Sequence, residues 1–233
     1  MRRLLASTLI SALAAQSSAQ QISVCVDPVA AVPELAPALL VPIDVVLPAG
    51  ATVTAVSVEL TLTHPWVGDL VVTLDKGGAQ SVLLDRLSLG TYPFGCGGKD
   101  IDAVFTDGAI TTPESLCMPG PAPVLTGDLT PATPLSIFEG SQAGGVWTLS
   151  VLDAQHFDVG QVDRVCLTIG YAVPACSPAD LAAPFGVLDD ADVSAYLAGF
   201  ESGDPAADIA EPLGQLDFFD VLAFLDLFDA GCP

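Results

Sequence analysis

His64 and Asp69 lie five positions apart in the stretch Leu62-Thr63-His64-Pro65-Trp66-Val67-Gly68-Asp69-Leu70, between two alternating apolar runs. An imidazole and a carboxylate so placed could be the base and the orienting acid of a nucleophilic triad. The nucleophile is missing. No serine stands in a Gly-x-Ser-x-Gly context, and the cysteines are expected to be paired. The structural reading asks for less: Pro65 and Gly68 shape a turn, Trp66 packs beside it, and His64 and Asp69 satisfy turn amides. That reading is preferred. His156, in a polar stretch before Gly160, reads as an exposed loop residue.

Carboxylates are the second source of chemistry. Asp180, Asp189 and Asp192, with carbonyls near Val187, could form one calcium site, and Asp208, Asp217 and Asp220 another. Calcium takes about six to eight oxygens, so carbonyls and water would complete each shell. The competing reading is helix capping. Asp189 and Asp217 would be N-caps, with Asp192 and Asp220 three residues later facing the helix dipole. The weight of acid favours calcium as cofactor: twelve Asp and Glu lie between Asp180 and Asp229, and no basic residue follows Arg164. A further acidic loop, Asp100 and Asp102 with Asp107, reads as solvated rather than metal-binding.

The charge excludes partners. The 28 acidic residues face only six basic ones, two of them at the extreme N-terminus. Such a surface repels phosphate backbones and anionic lipid, so nucleic acid and membrane surfaces are unsuited partners. Residues 1–19 read as a signal peptide: Arg2 and Arg3, the short apolar run Leu4 to Ala15, and Ser17-Ser18-Ala19 before cleavage. No later apolar run is long enough to span a bilayer, and the expected location is secreted, extracellular or at the cell surface. Six cysteines in a secreted chain imply disulfides, and no C-x-x-C suggests thiolate zinc or redox chemistry. Six allow 15 pairings. Position suggests Cys25 with Cys166, Cys96 with Cys117 and Cys176 with Cys232.

From Ile22 to about Ala172 the pattern is β. Val56, Val58, Leu60 and Leu62 share one face with Thr54 at its start, and Ser57, Glu59 and Thr61 share the other. Strands are also expected at Ile22–Val26, Val41–Val46, Asp69–Asp75, Gln80–Asp85, Ile101–Phe105, Trp147–Val151 and Val162–Tyr171. Lys76-Gly77-Gly78 turns a hairpin, while 90–98 and 111–134 read as irregular. Half the residues are apolar, enough for a large core. Strands at this spacing with Gly/Pro turns indicate a β-sandwich.

After Pro174 the period changes. Val193, Tyr196, Leu197 and Phe200 follow helical spacing, and so do Val221, Phe224, Leu225 and Phe228, displaced by 28 positions. Asp180, Pro184, Gly186, Asp189 and Asp192 map by the same shift onto Asp208, Pro212, Gly214, Asp217 and Asp220. This is an internal repeat: two acidic loops, each leading into a short amphipathic helix. Phe218 and Phe219 replace Asp190 and Ala191. Adjacent residues cannot both face one stripe, so one is expected either to join a partner-binding patch or to pack elsewhere.

Two families are recognisable in these residues. His64-Pro65-Trp66-Val67-Gly68-Asp69-Leu70, Phe105-Thr106-Asp107-Gly108-Ala109, Pro134 to Gly140, Gly145-Val146-Trp147-Thr148-Leu149, Asp153 and Gly160 resemble the P domain (P/Homo B domain) of subtilisin-like proprotein convertases. The resemblance implies a jelly-roll-type β-sandwich over 22–172, a domain that in convertases stabilises an adjacent peptidase. The segment 176–233 resembles a bacterial dockerin-like repeat pair ending in Gly231-Cys232-Pro233. That implies a calcium-dependent α-helical module docking on a cohesin-like or cell-surface anchoring protein. Ala182 and Pro184, like Ala210 and Pro212, stand where the better-known calcium loop has oxygen ligands. The expectation is a secreted, non-catalytic, anchored module protein. The alternatives are an accessory domain of a secreted serine peptidase and a glycan-binding sandwich.

Overall fold

The computed structural model describes residues 20–88, 95–118 and 120–232. Residues 1–19, where a signal peptide is expected, part of the 90–98 loop and Pro233 lie outside the described residues. The described chain is mainly β, with two sheets and two α-helices.

Ten strands build the sheets: β1 (Gln20–Val26), β2 (Ala30–Val32), β3 (Leu39–Val45), β4 (Thr52–Thr63), β5 (Leu70–Lys76), β6 (Ala79–Asp85), β7 (Ile101–Thr106), β8 (Leu125–Leu129), β9 (Gly145–Asp153) and β10 (Gly160–Ala172). One sheet runs β1-β10-β4-β7-β8, with β2 also on β10. The other runs β3-β9-β5-β6. Every pair is antiparallel except β7 with β8. The two sheets share one hydrophobic core, to which β4 gives Val56, Val58, Leu60 and Leu62 and β9 gives Trp147, Leu149 and Val151. Full burial of each such side chain contributes about 1.5–3 kcal/mol. Trp147 packs edge-on to Phe138 with ring centroids 5.0 Å apart, and its indole N–H donates to Ala143 O at 2.9 Å.

Several expectations change here. Thr54 does not join the inward face of β4. Pairing with β10 steps from Ala55–Gly170 to Val53–Tyr171, which leaves Thr54 in a bulge and turns Val53 inward. The stretch 111–134, expected to be irregular, contains β8, and β2 is a further strand. Strands β4 and β5, which flank the His64 stretch, lie in different sheets, so their connection passes from one sheet to the other. The β5–β6 hairpin turns at Gly77 and Gly78, whose φ angles of +60° and +91° only glycine adopts freely.

Cys25 is bonded to Cys166, Cys96 to Cys117 and Cys176 to Cys232. The first bond joins residues directly opposite one another on β1 and β10.

After Val173 come α1 (Asp190–Ser202) and α2 (Phe218–Ala230). Each starts at an Asp N-cap with a reciprocal Asp three residues on. α1 stops at Gly203, in left-handed conformation with φ +77°. Tyr196 and Phe224, equivalent under the repeat, stack face to face with centroids 4.0 Å apart and form the centre of a second, small core. Leu197 and Leu225, expected on the buried stripes, are exposed, because the helices meet through Tyr196 and Phe224 and the next position in each turns outward. The turn of the first repeat packs on the β core: Phe185 lies against it, and Gly186 abuts Val173 so closely that a Cβ would overlap it.

Candidate functional sites

His64 is buried and does not pair with Asp69. Its Nε2 lies 3.2 Å from Asp153 Oδ2, and both side chains are fully buried. Nδ1 accepts the Trp66 N–H at 3.0 Å, so Nε2 carries the proton and donates to Asp153. Asp153 Oδ1 accepts the Gln155 N–H at 3.0 Å. Gly160 has no side chain because His64 fills that space, and a Cβ there would overlap the imidazole. Among the described residues no serine, threonine or cysteine side chain hydrogen-bonds His64. The pair ties the β4–β5 connection to the end of β9. Asp153, 89 positions away, is the partner that sequence spacing could not indicate.

Asp69 behaves differently. It is only 6 % exposed, yet its carboxylate has no hydrogen-bond partner among the described residues. Burial raises its pKa, the charge of Asp153 raises it further, and Arg86 and His64 oppose this. It lines a cleft of about 420 Å³ together with Trp66, Arg86, Gln155, His156, Phe157 and Asp158. The wall carrying Trp66 is fixed from below: Val67 N–H donates to Gly98 O at 2.9 Å, Gly68 N–H to Cys96 O at 3.0 Å, and Cys96 is tied to Cys117. His156 is exposed, as expected, and sits 3.5 Å from Glu34. Asp107, Asp100 and Asp102 gather around no common point. Asp107 accepts the Leu135 and Ser136 N–H groups at 2.8 Å each, and Asp100 accepts the His64 N–H at 2.9 Å.

The six acids expected to ligate calcium face backbone amides. Asp192 Oδ1 accepts Leu181 N–H at 2.7 Å and Ala182 N–H at 2.8 Å, and its Oδ2 accepts Asp189 N–H at 2.9 Å. Asp220 does the same for Ile209 at 2.9 Å, Ala210 at 2.8 Å and Asp217 at 2.8 Å. These amides hold the Asp220 carboxyl below the usual range. Asp189 and Asp217 cap the helices, accepting from Ala191 at 2.7 Å and Phe219 at 2.8 Å. Asp180 Oδ2 accepts from Cys176 and Gly186, and Asp208 Oδ2 from Gly214. Among the described residues the three carboxylates of neither loop come within reach of one ion. The one such cluster is Cys176, Asp180 and Cys232, whose sulfurs are in a disulfide. These donors do not fit an EF-hand-type calcium shell, because the closing acid is spent on amides. Each loop nevertheless keeps one buried carboxylate oxygen without a partner, Oδ1 of Asp180 and of Asp208.

Phe218 and Phe219 are both exposed, at 67 % and 60 %. With Leu222, Leu225 and, in the preceding loop, Leu213, they cover the outer side of the second repeat in apolar surface. The equivalent positions of the first repeat are Asp190, Ala191, Ser194, Leu197 and Phe185. Phe218 and Phe219, the two partner-binding candidates of the sequence, both lie on the exposed side of α2.

No protein-family model matches the chain, and no curated protein sequence does. Among solved structures, the Aeromonas sobria serine protease in complex with its chaperone is similar at TM-score 0.44 and 18 % identity, over 68 % of this chain and 28 % of that one. The serine protease of Aeromonas sobria alone is similar at TM-score 0.42 and 17 % identity, over 66 % and 27 %. The chain thus spans less than a third of either. No helix of the described residues is long and apolar enough to cross a membrane.

Proposed function

We propose that this is a secreted, non-catalytic module whose C-terminal repeat pair attaches it to an anchoring protein, of the cohesin-like or cell-surface kind that the dockerin resemblance implies. The β-rich part, with its P-domain-like residues and jelly-roll-type reading, is the cargo so anchored. The observation that carries the reading is the exposed apolar surface of Leu213, Phe218, Phe219, Leu222 and Leu225 on a unit with twelve acidic residues and no basic one. Apolar patches rimmed by charge mark protein interaction sites. With no basic residue beyond Arg164, the receptor must bring an apolar groove with a basic rim. Among the described residues no serine, threonine or cysteine side chain hydrogen-bonds His64, which is in keeping with the non-catalytic reading.

Immobilised full chain is the bait for the test. It should retain a surface or extracellular protein from its native secretome, and Phe218→Ser with Leu222→Ser should abolish retention without lowering the melting temperature. Equal retention by the double variant would remove the repeat pair from the anchoring role. Retention of a secreted subtilisin-type peptidase, unaffected by the double variant, would point instead to the accessory-domain alternative.

A further inference from the structure

We infer that the cleft at the Asp69 end of the β-rich part is a binding site for a neutral carbohydrate unit. It is separate from the anchoring surface and does not depend on it.

The lining residues come from connections at one end of the fold. Trp66 and Asp69 lie between β4 and β5, Arg86 follows β6, and Gln155, His156, Phe157 and Asp158 lie between β9 and β10. Volume decides first. About 420 Å³ suits one or two sugar rings and is large for a lone ion.

Charge decides next. Asp69 and Asp158 line the cleft as acceptors and Arg86 as a donor. Arg86 is close enough to oppose the rise in the Asp69 pKa, yet the two form no ion pair. A cationic ligand meets the Arg86 guanidinium. An anionic ligand meets two carboxylates on a strongly acidic chain. A neutral group that donates to one side and accepts from the other satisfies both, and a sugar hydroxyl does so with one oxygen. Asp69 is only 6 % exposed, and its carboxylate, open to the cleft and without a donor among the described residues, is the acceptor with most to gain from a ligand hydroxyl.

The aromatic residues supply the remaining element. Trp66 is half-buried on one wall, and Phe157 is 95 % exposed on the facing loop. Two aromatic faces beside polar groups match the apolar C–H face and hydroxyl rim of a pyranose. Phe157 is held in place despite its exposure. Its backbone has φ +87°, which a bulky residue rarely adopts, and its N–H donates to Glu34 Oε1 at 3.2 Å. Glu34 also meets His156, so both residues at the loop tip are tied to one carboxylate. The lining residues all lie in connections rather than in strands, which disfavours an extended peptide recognised through main-chain pairing.

The chain has two tryptophans, and Trp147 is fully buried, so a ligand-induced change in emission reports on Trp66. The full chain is titrated with neutral cello-, xylo-, manno- and chito-oligosaccharides and, separately, with a pool of neutral peptides. At least one oligosaccharide should shift the emission with a dissociation constant of about 1 mM or tighter. Phe157→Ala should weaken that binding about tenfold or more and leave the melting temperature unchanged. Asp69→Asn should also weaken it while the fold persists. The inference is overturned by three results: no emission change with any sugar at about ten times that concentration, binding unchanged in both variants, or binding of the peptides in place of the sugars.

Discussion

Asp192→Ala is the most informative single change in the repeat pair. The Asp192 carboxylate has no accessible surface and accepts three backbone N–H groups, from Leu181, Ala182 and Asp189. Truncation strands all three at once and removes half of the capping box of α1. At about 1–2 kcal/mol for each amide left without its charged acceptor, the loss is about 3–6 kcal/mol. A unit of this size is stabilised by only about 3–8 kcal/mol, so the first loop should open while the β-rich part stays folded. Asp189→Ala is the internal control. It removes the exposed cap bond to Ala191 and the other half of the capping box, and should cost about 1 kcal/mol. Amide hydrogen exchange on the full chain resolves the two regions. Protection at Leu181 and Ala182 should collapse in Asp192→Ala and persist in Asp189→Ala, with β4 and β9 unchanged in both. Adding excess calcium should neither restore protection in Asp192→Ala nor raise the melting temperature of the unaltered chain. A cost for Asp192→Ala no greater than for Asp189→Ala would refute the amide-acceptor role. A clear calcium-induced rise in melting temperature would show that the ion organises the loops.

Acid should act oppositely on the two parts. The folded Asp69 pKa is raised, so its ionisation penalty is absent below the ordinary carboxylate range and complete above the raised value. Asp69→Asn should therefore raise the melting temperature of the β-rich part at neutral pH, and the gain should vanish as pH falls into the carboxylate range. The folded Asp220 pKa is lowered, so its contribution is complete above the ordinary carboxylate range and is lost as pH falls through the lowered value. Exchange at Ile209 and Ala210 in acid reports that loss. Gly160→Ala places a Cβ in the His64 ring and should cost about 1–3 kcal/mol in urea unfolding. Gly186→Ala and Gly214→Ala both meet left-handed backbone, at φ +86° and +92°, worth about 1–2 kcal/mol. Gly186 also has Val173 against it, whereas Gly214 faces open space. Only Gly186→Ala should therefore also increase proteolysis near Pro174.

Periodicity made the long strands legible. The alternation of β4 and β9 reflects a face that must be buried, and the 28-residue offset of the repeats was visible because both copies keep the same loop acids and helix stripe. β8 was not legible, since Leu125-Thr126-Gly127-Asp128-Leu129 buries only its two ends and so carries no alternation. The Thr54 bulge shifts a face by one residue without leaving a local mark. The His64–Asp153 pair required knowing which strand ends meet. The Asp69 cleft required three separate connections to converge, and Phe157 has no periodic context to distinguish it from any loop residue. The loop acids illustrate a different limit. A carboxylate that accepts amides and one that binds an ion stand at the same sequence positions, and only geometry separates them.

The repeat itself accounts for the placing of the apolar surface. Two copies that stack Tyr196 on Phe224 each leave one face of the helix turned away from the stack. The first copy has spent part of its face internally: its turn carries Phe185 onto the β core, with Gly186 against Val173. In the second copy Leu213 is 65 % exposed, and Gly214 has open space where a Cβ would lie. Substitution follows the same division. Asp190, Ala191 and Ser194 are polar or small in the copy that docks inward, whereas Phe218, Phe219 and Leu222 are apolar in the copy that faces out. A solvated face gains nothing from two adjacent phenylalanines, each of which forfeits the burial that would stabilise it. The asymmetry fits one internal contact and one exposed face, and it puts the apolar surface on the second repeat.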